Sequence, residues 1–203
     1  MCIRDRAVLT ELSDNVASFE DELFRIEEYV SMALQYQRVS STENDFVLEK
    51  VSVDGVIRDT IKKYAKIMIR RHIGINYSGT GQEIYTDGKW LAFMLEQILS
   101  NAIKYTPKGS KICIRGMKCN GKAQICVEDN GPGIADEMKP YIFEMFYTGK
   151  STIADSQRSL GLGLSLCQSI IEAHDGRLLL TDNTPRGCIF TFTLPLSEVT
   201  LNE

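Results

Sequence analysis

Residues 123–134 constrain the fold most strongly, because they combine a strand pattern with an acidic, glycine-rich turn. One face of the predicted strand carries every second residue: Ala123, Ile125, Val127 and Asp129. A carboxylate on this inward face needs a hydrogen-bond donor, since burying it unpaired is costly. The following Gly131-Pro132-Gly133 lets a flat ligand approach the backbone. The segment predicts either a pocket floor with Asp129 as acceptor or, more commonly for Asp-Asn-Gly, an aspartate that closes a turn or caps a helix.

The composition is that of an ordinary globular protein and argues against several functional classes. The chain has 203 residues, of which 43% are hydrophobic, and a net charge of −4. Basic and acidic residues are interspersed, so no nucleic-acid surface is expected. No apolar run is long enough for a membrane span, and we expect no membrane contact in this fragment. The six cysteines form no Cys-x-x-Cys pair and are interpreted as reduced thiols.

The N-terminal region carries an apolar seam with a repeat of three and four residues. The seam consists of Leu9, Leu12, Val16, Phe19, Leu23, Ile26, Val30 and Ala33. Because the intervening positions are mostly polar, a helix of this pattern needs a partner. We expect a homodimer through this helix; the alternative is a helix that packs on its own domain. Residues 40–45 break the pattern and are predicted to form a linker.

Downstream of the linker, short strands alternate with amphipathic helices. The predicted strands are Phe46–Val51, Ile73–Tyr77, Glu83–Tyr85, Lys111–Met117, Lys122–Val127, Leu178–Leu180 and Cys188–Leu194. The predicted helices are one capped by Asp54, one from Gly88 to Tyr105 capped by Asp87, a short one with Met138, Ile142, Phe143 and Phe146, and one from Leu160 to Ala173. This order predicts an α+β two-layer sandwich, a mixed sheet packed on helices and preceded by a long N-terminal helix.

The helix that ends at Tyr105 has a polar stripe beside its apolar face. Gln97, Asn101, Lys104 and Tyr105 recur at intervals of about one turn. The carboxamide oxygen of Asn101 suits Mg²⁺, which needs only one or two protein oxygens beside phosphate. Lys104 supplies a positive charge for phosphate, and Tyr105 supplies a flat wall. Taken singly, each of these residues is more typical of an exposed helix edge.

A pair of glycines, Gly161 and Gly163, precedes the last predicted helix. Free backbone N–H groups at a helix N-terminus bind anions, although two glycines can also serve tight packing. The preceding segment, Tyr147–Ser159, is polar and unusually long for a connection, which predicts a lid or a disordered loop. Together with Asp129 and Asn101, these features give an acceptor for a base, a metal donor and a phosphate cradle.

These segments resemble the ATP-binding domain of sensor histidine kinases, within the gyrase, chaperone, kinase and mismatch-repair ATPase superfamily. The N box corresponds to Gln97–Tyr105, the first glycine box to Asp129–Ile134, the phenylalanine box to Ile142–Tyr147 and the second glycine box to Leu160–Leu164. The likeness covers Val51 to Leu196. The seam helix resembles the second helix of the dimerisation and phosphotransfer bundle. Four boxes in the right order make the resemblance specific.

The resemblance implies a role for each site residue. Asp129 is expected to bind the adenine amino group, and Asn101 the Mg²⁺ ion, with Gln97 as the second candidate for that ion. Lys104 and the backbone at Gly161 and Gly163 are expected to bind the phosphates of ATP. The remaining expected ATP contacts are Tyr105, Gly131, Gly133, Ile134, Tyr147, Leu160, Leu162 and Leu164.

Two departures from the family pattern limit what the fragment alone can do. Gln97 stands where hydrolysing members of the superfamily have a glutamate base, and a carboxamide cannot act as a general base. A phosphoacceptor histidine is also missing, because His72 and His174 lie outside the seam helix. We therefore expect ATP binding without autophosphorylation, with the acceptor located upstream in a longer protein.

The resulting domain division is 1–39 dimerisation helix, 40–45 linker, 46–197 ATP-binding domain and 198–203 tail. The expected function is the catalytic region of a two-component sensor histidine kinase, with a response regulator receiver domain as partner. The fragment is expected in the cytoplasm and its parent in the bacterial plasma membrane. Two alternatives remain: a serine kinase of the anti-sigma type, and a degenerate nucleotide pocket that only dimerises and docks a partner.

Overall fold

The computed structural model describes residues 47–79, 81–148 and 161–195, together with helical positions scattered between residues 16 and 37. The chain divides into two units, Met1–Asn44 and Asp45–Glu203. In the first unit every described position is helical. Five large hydrophobic residues of the seam are described, and their side chains are 47% to 65% exposed: Val16, Phe19, Leu23, Ile26 and Val30. A bilayer-spanning helix is absent from the described residues.

The second unit contains seven strands and three α-helices in its described parts. The strands are β1 (Glu49–Ser52), β2 (Gly74–Ser78), β3 (Glu83–Thr86), β4 (Lys111–Cys119), β5 (Lys122–Glu128), β6 (Arg177–Asp182) and β7 (Cys188–Pro195). The helices are α1 (Val53–Arg70), α2 (Gly88–Tyr105) and α3 (Gly163–Ala173), with a 3₁₀ turn at Lys139–Tyr141. The seven predicted strands are all present, with ends that differ by up to three residues.

The strands form two sheets. β1 pairs antiparallel with β3, and the main sheet has the order β2-β4-β5-β7-β6. Within the main sheet β2 and β4 are parallel, whereas the other neighbours are antiparallel. The mixed sheet and the helices that cover it confirm the predicted α+β two-layer sandwich.

The core lies between the main sheet and the helices. On β5 and β7 the cross-strand pairs Ala123–Leu194, Ile125–Phe192 and Val127–Phe190 are at most 5% exposed. The sheet presents this apolar face to the buried sides of α2 and α3: Leu91, Leu95, Ile98, Ala102, Leu166, Ile170 and Ile171. Each fully buried side chain of this size contributes roughly 1.5–3 kcal/mol of hydrophobic stabilisation. The alternation therefore fixes the register of the strand that leads to Asp129.

Capping side chains set the starts of α1 and α2. Asp87 caps α2 as predicted, since its Oδ1 accepts from the backbone N–H of Lys89 at 2.9 Å and of Trp90 at 3.3 Å. The prediction that Asp54 caps α1 is wrong. The cap is Ser52, whose Oγ accepts from the N–H of Gly55 at 3.2 Å, and α1 begins one residue after it.

The predicted short helix around Met138 and Phe146 is also wrong. Only one 3₁₀ turn forms there, at Lys139–Tyr141. Pro140 lies in the first turn of this segment, where a missing backbone N–H is tolerated, and it does not by itself explain why the turn ends at Tyr141. Phe146 then adopts a positive φ of 63°, which ends any helical continuation.

Arg71, which follows α1, binds the C-terminal end of α2. Its guanidinium donates to the carbonyls of Ile103, Lys104 and Thr106, the last at 3.1 Å. Carbonyls at a helix C-terminus lack intrahelical partners and carry partial negative charge, so a guanidinium there is stabilising. Arg71 thus fixes the helix end that carries Lys104 and Tyr105.

We expect Arg71→Ala to lower the free energy of unfolding by about 1–2 kcal/mol, because three carbonyls lose a charged donor. Arg71→Lys should recover only part of this loss, since an ammonium cannot reproduce the fork of a guanidinium. Urea denaturation followed by circular dichroism measures both. The exposed Lys108 provides the control, and equal effects of Arg71→Ala and Lys108→Ala would contradict the capping role.

Candidate functional site

Asp129 lies directly after β5 and is 5% exposed. Its Oδ1 accepts from the backbone N–H of Gly131 at 2.7 Å and from that of Cys188 at 3.3 Å. Among the described residues no hydrogen bond engages its second carboxylate oxygen, Oδ2. The predicted inward carboxylate is therefore present, and one of its oxygens is left to accept from a ligand.

Burial raises the pKa of Asp129 above its ordinary value, because the charged form loses hydration. The two backbone N–H groups act in the opposite direction, since they favour the ionised carboxylate. The same burial, reinforced by the negative charge of Asp129, raises the pKa of the neighbouring Cys188 thiol to about 12. Cys188 is therefore a neutral thiol at physiological pH.

The turn after Asp129 contacts the end of α2. A Cβ atom at Gly131 would lie 2.8 Å from Asp129 Oδ1 and 3.1 Å from the carbonyl oxygen of Tyr105. Contacts this short exclude a side chain, so glycine is required for the turn to approach α2. Tyr105 is half-buried, and burial raises its pKa above the ordinary value, which keeps the phenol neutral. The turn that follows the predicted acceptor therefore lies against the backbone of Tyr105.

The polar stripe of α2 also reaches the second glycine segment. A Cβ at Gly163 would lie 2.4 Å from Gln97 Oε1, so the start of α3 sits directly against this carboxamide. Asn101 lies one turn further along α2 and is half-buried, as is Lys104. The Nζ of Lys104 lies 5.1 Å from the ring centroid of Tyr105, within range of a cation–π contact. α2 therefore contacts both glycine segments, the first at Tyr105 and the second at Gln97.

The N-terminus of α3 has no side-chain cap. α3 begins at Gly163, and its N-cap residue, Leu162, makes no side-chain hydrogen bond to the first turn. Backbone N–H groups of the first turn lack intrahelical partners and attract anions. Leu162 is 9% exposed and Leu164 is half-buried. This end of α3 fits the predicted phosphate cradle.

Gly161 contacts the end of the phenylalanine box. The Phe146 N–H donates to the Gly161 carbonyl at 2.9 Å, and a Cβ at Gly161 would lie 2.6 Å from the Phe146 carbonyl carbon. Of the predicted lid, Tyr147–Ser159, only Tyr147 and Thr148 are described; the remainder and Leu160 lie outside the described residues. Tyr147 is half-buried and stacks on Tyr141 at 6.0 Å between ring centroids.

The remaining predicted contacts lie around the turn after Asp129. Gly133 has a φ of +80°, which glycine adopts without strain, and a Cβ there would meet Gly187. Ile134 is half-buried. Gly133 thus connects the turn to the hairpin between β6 and β7.

Sequence reasoning missed this hairpin as part of the site. Asn183 donates through Nδ2 to the Asp129 carbonyl at 2.8 Å. The Asp129 N–H donates to the Cys188 carbonyl, and the Cys188 N–H donates to Asp129 Oδ1. The sequence shows a turn between two strands, because Asn183, Pro185 and Gly187 are residue types that favour turns. Nothing local indicates which other strand the turn contacts, so only the pairing of β5 with β7 could have revealed it.

The two histidines have structural positions. His72 is exposed in the turn between α1 and β2, with a φ of 52°. His174 ends α3, and its Nδ1 lies 2.8 Å from the Ile170 carbonyl oxygen. In the described ranges no group of three or more His, Cys, Asp or Glu side chains could hold a metal ion.

Comparison with known proteins identifies the family. Residues 86–198, more than half of the chain, match the family described as histidine kinase-, DNA gyrase B-, and HSP90-like ATPase. The chain is 33% identical over 174 residues to the sensor protein BceS of Halalkalibacterium halodurans. The aligned region covers 86% of this chain and 52% of BceS. It therefore spans about half the length of this relative.

Solved structures agree with the sequence match. The catalytic domain of the histidine kinase ThkA has a TM-score of 0.66 at 26% identity, over 74% of this chain and 96% of that one. ThkA in complex with the response regulator protein TrrA has a TM-score of 0.70 at 25% identity, over 92% of this chain and 52% of that one. The chain therefore belongs to the family of histidine kinase-, DNA gyrase B- and HSP90-like ATPases, as an ATP-binding domain of the sensor histidine kinase type.

Proposed function

We propose that this chain binds ATP with Mg²⁺ and presents the γ-phosphate for transfer to a histidine, as the catalytic region of a two-component sensor kinase. The observation that carries the proposal is the buried Asp129, with one carboxylate oxygen committed to backbone N–H groups and the other left for a ligand. An acceptor of this kind fits the exocyclic amino group of adenine. Membership of the ATPase family supports the same ligand.

The surrounding residues fit the rest of the nucleotide. Asp129 would accept from the adenine amino group, between the Tyr105 wall and the turn at Gly131. Lys104 and the uncapped first turn of α3 at Gly163 would neutralise and bind the phosphates. The other residues assigned to the pocket are Gly133, Ile134, Tyr147, Leu160, Gly161, Leu162 and Leu164.

Magnesium fits the donors that α2 provides. Asn101 and Gln97 offer neutral carboxamide oxygens one turn apart, and Mg²⁺ takes one or two protein oxygens when phosphate and water supply the others. When bound, the ion would screen the negative charge of the phosphates. Asn101 is the primary proposed ligand, and Gln97 the second.

The same helix argues against hydrolysis of the bound nucleotide. Gln97 cannot accept a proton from water at neutral pH. The adjacent carboxylate, Glu96, forms an ion pair with Lys63 of α1, at 2.7 Å between Oε2 and Nζ. Neither residue is therefore a general base beside the phosphates. This arrangement favours transfer of the phosphoryl group to an acceptor side chain over transfer to water.

The acceptor and the partners follow from the family. Neither His72 nor His174 is an acceptor in this proposal, because one lies in an exposed turn and the other ends α3. The phosphorylated histidine is proposed to lie in the part of the parent protein beyond these residues. The structure of ThkA with the response regulator protein TrrA supports a receiver domain as the next acceptor. Location of the parent in the plasma membrane remains a prediction.

A homodimer through the N-terminal helix is part of the proposal. Its described seam residues are about half exposed in the single chain, as expected for a surface that a second helix covers. Leu23 lies near the middle of the seam. A charged side chain at this position would place unpaired charge in the helix interface.

We expect Asp129→Asn to weaken binding of ADP or ATP by about 10- to 100-fold, equivalent to roughly 1.5–3 kcal/mol. The asparagine oxygen can keep both backbone bonds, but its NH₂ group then faces the amino group of adenine, so two donors meet. Isothermal titration calorimetry with Mg²⁺ measures the change. Equal affinity of the variant and the wild type would refute the assigned role of Asp129.

Asp129→Asn should leave the fold intact and make it more stable at neutral pH. Burial raises the pKa of Asp129, so the folded chain binds this proton more readily than the unfolded chain, and stability falls as the pH rises through the folded value. The variant removes this cost, and its advantage should shrink as the pH falls below that value. Urea denaturation at neutral and at mildly acidic pH tests this. Lower stability of the variant at neutral pH would show that the carboxylate is stabilised when ionised.

Leu23→Lys should convert the proposed dimer to a monomer, because the seam would bury a charge. Sedimentation velocity over a range of protein concentrations gives the oligomeric state. Glu27→Lys, an exposed position on the same helix, is the matched control and should leave the dimer intact. A monomeric wild-type chain, or equal effects of both variants, would contradict this part of the proposal.

A further inference from the structure

The hairpin tip, residues 182–188 between β6 and β7, packs against the end of β5. Asn183 is its second residue and uses both ends of its side-chain amide. Its Nδ2 donates to the Asp129 carbonyl at 2.8 Å and to Asn130 Oδ1 at 3.4 Å. Its Oδ1 accepts from the Thr184 N–H at 2.8 Å. The carboxamide therefore connects its own turn to the backbone of the residue that carries the free carboxylate.

The backbone of Asp129 is bound entirely by this hairpin tip. The Asp129 N–H donates to the Cys188 carbonyl at 2.9 Å, and its carbonyl accepts from Asn183. Its side-chain Oδ1 also accepts from the Cys188 N–H, at 3.3 Å. Three of the bonds that determine where the carboxylate points thus come from residues more than 50 positions away in the sequence.

The close approach of the hairpin tip depends on Gly187. A Cβ there would lie 2.0 Å from the Asp129 carbonyl oxygen, and its φ of +115° favours glycine. On the other side of the hairpin tip, Lys139 Nζ bridges Asp136 and Asp182 at 2.6 Å each. The hairpin tip is consequently held from both sides, and Asn183 is positioned before any ligand arrives.

From this geometry we infer that Asn183 is a positioning residue for recognition of the base: its amide holds the Asp129 backbone so that the free carboxylate oxygen meets the adenine amino group. The inference rests on the proposed function, because it concerns the hydrogen bond that Asp129 is proposed to accept from the adenine amino group. A hydrogen bond weakens steeply when its donor and acceptor move out of line. Loss of the Asn183 bond should therefore affect recognition of the amino group more than recognition of the phosphates.

The preference for ADP over a nucleotide without the 6-amino group distinguishes two roles of Asn183: positioning the Asp129 carboxylate and merely stabilising its own turn. Purine riboside diphosphate has the ring and phosphates of ADP but lacks the 6-amino group, so the ratio of the two dissociation constants reports the Asp129 contact alone. Asn183→Asp keeps an oxygen that can accept from Thr184 N–H, which preserves the turn, but it cannot donate to the Asp129 carbonyl. Asn183→Ala removes both bonds, and Asn76→Ala on the exposed strand β2 is the matched control.

The experiment measures both dissociation constants with Mg²⁺ for the full 203-residue chain and its variants. We expect wild type and Asn76→Ala to prefer ADP by roughly 10- to 100-fold. Asn183→Asp should reduce this ratio to about that of Asp129→Asn, while its affinity for purine riboside diphosphate stays within about twofold of wild type. An unchanged ratio in Asn183→Asp, or equal weakening of both nucleotides, overturns the inference.

Failure of the proposed function has a different signature. A wild-type chain that binds neither nucleotide, or that binds both equally, refutes the role of Asp129 itself. A wild-type preference that Asp129→Asn abolishes and Asn183→Asp retains refutes only the role of Asn183.

A measurement on the wild-type chain covers the case in which the Asn183 variants do not fold. Nuclear magnetic resonance should show the Asn183 side-chain NH₂ protons protected from exchange in the free chain, and shifted by ADP but not by purine riboside diphosphate. Exchange at the rate of an exposed amide, or an equal response to both nucleotides, overturns the inference.

Discussion

The candidate site depends above all on a carboxylate held out of water where β5 ends. The alternation that packs Ile125 and Val127 into the core also turns Asp129 inward, so the hydrophobic register and the polar site are one feature of the strand. A slip of one residue would expose the core face and the carboxylate together. The backbone N–H groups of Gly131 and Cys188 make the burial tolerable, because they bind one oxygen and leave the other available.

α2 relates this carboxylate to the rest of the site. Gly131 approaches the end of the helix at Tyr105, and Gly163 approaches Gln97, about 12 Å earlier along the helix axis. In both places the missing Cβ permits contact with a rigid element. Arg71 anchors the end of α2 through three carbonyl oxygens. The separation between the two glycine segments is thus set by a packed helix and not by loops.

Most of the fold follows from local pattern, whereas the misassigned cap at Asp54 and the omission of Asn183 arise where non-local contacts decide. Asp87 and the apolar face of α2 were predictable because capping and periodicity are local. Asp54 was misassigned as a cap because its carboxylate binds Tyr77 and Gly81, residues beyond α1, which leaves Ser52 to cap the helix. Asn183 escaped notice for the same reason, since its partner lies 54 residues away.

The Lys63–Glu96 ion pair bears on how long a bound nucleotide would persist before its phosphoryl group is transferred. The pair engages the carboxylate next to Gln97, so under the proposed function neither of these two residues would activate water beside the phosphates. A nucleotide bound in such a site would then be hydrolysed slowly in the absence of an acceptor side chain. The rate of phosphoryl transfer would then be set by how often an acceptor side chain reaches the pocket, and little ATP would be lost to hydrolysis between these encounters.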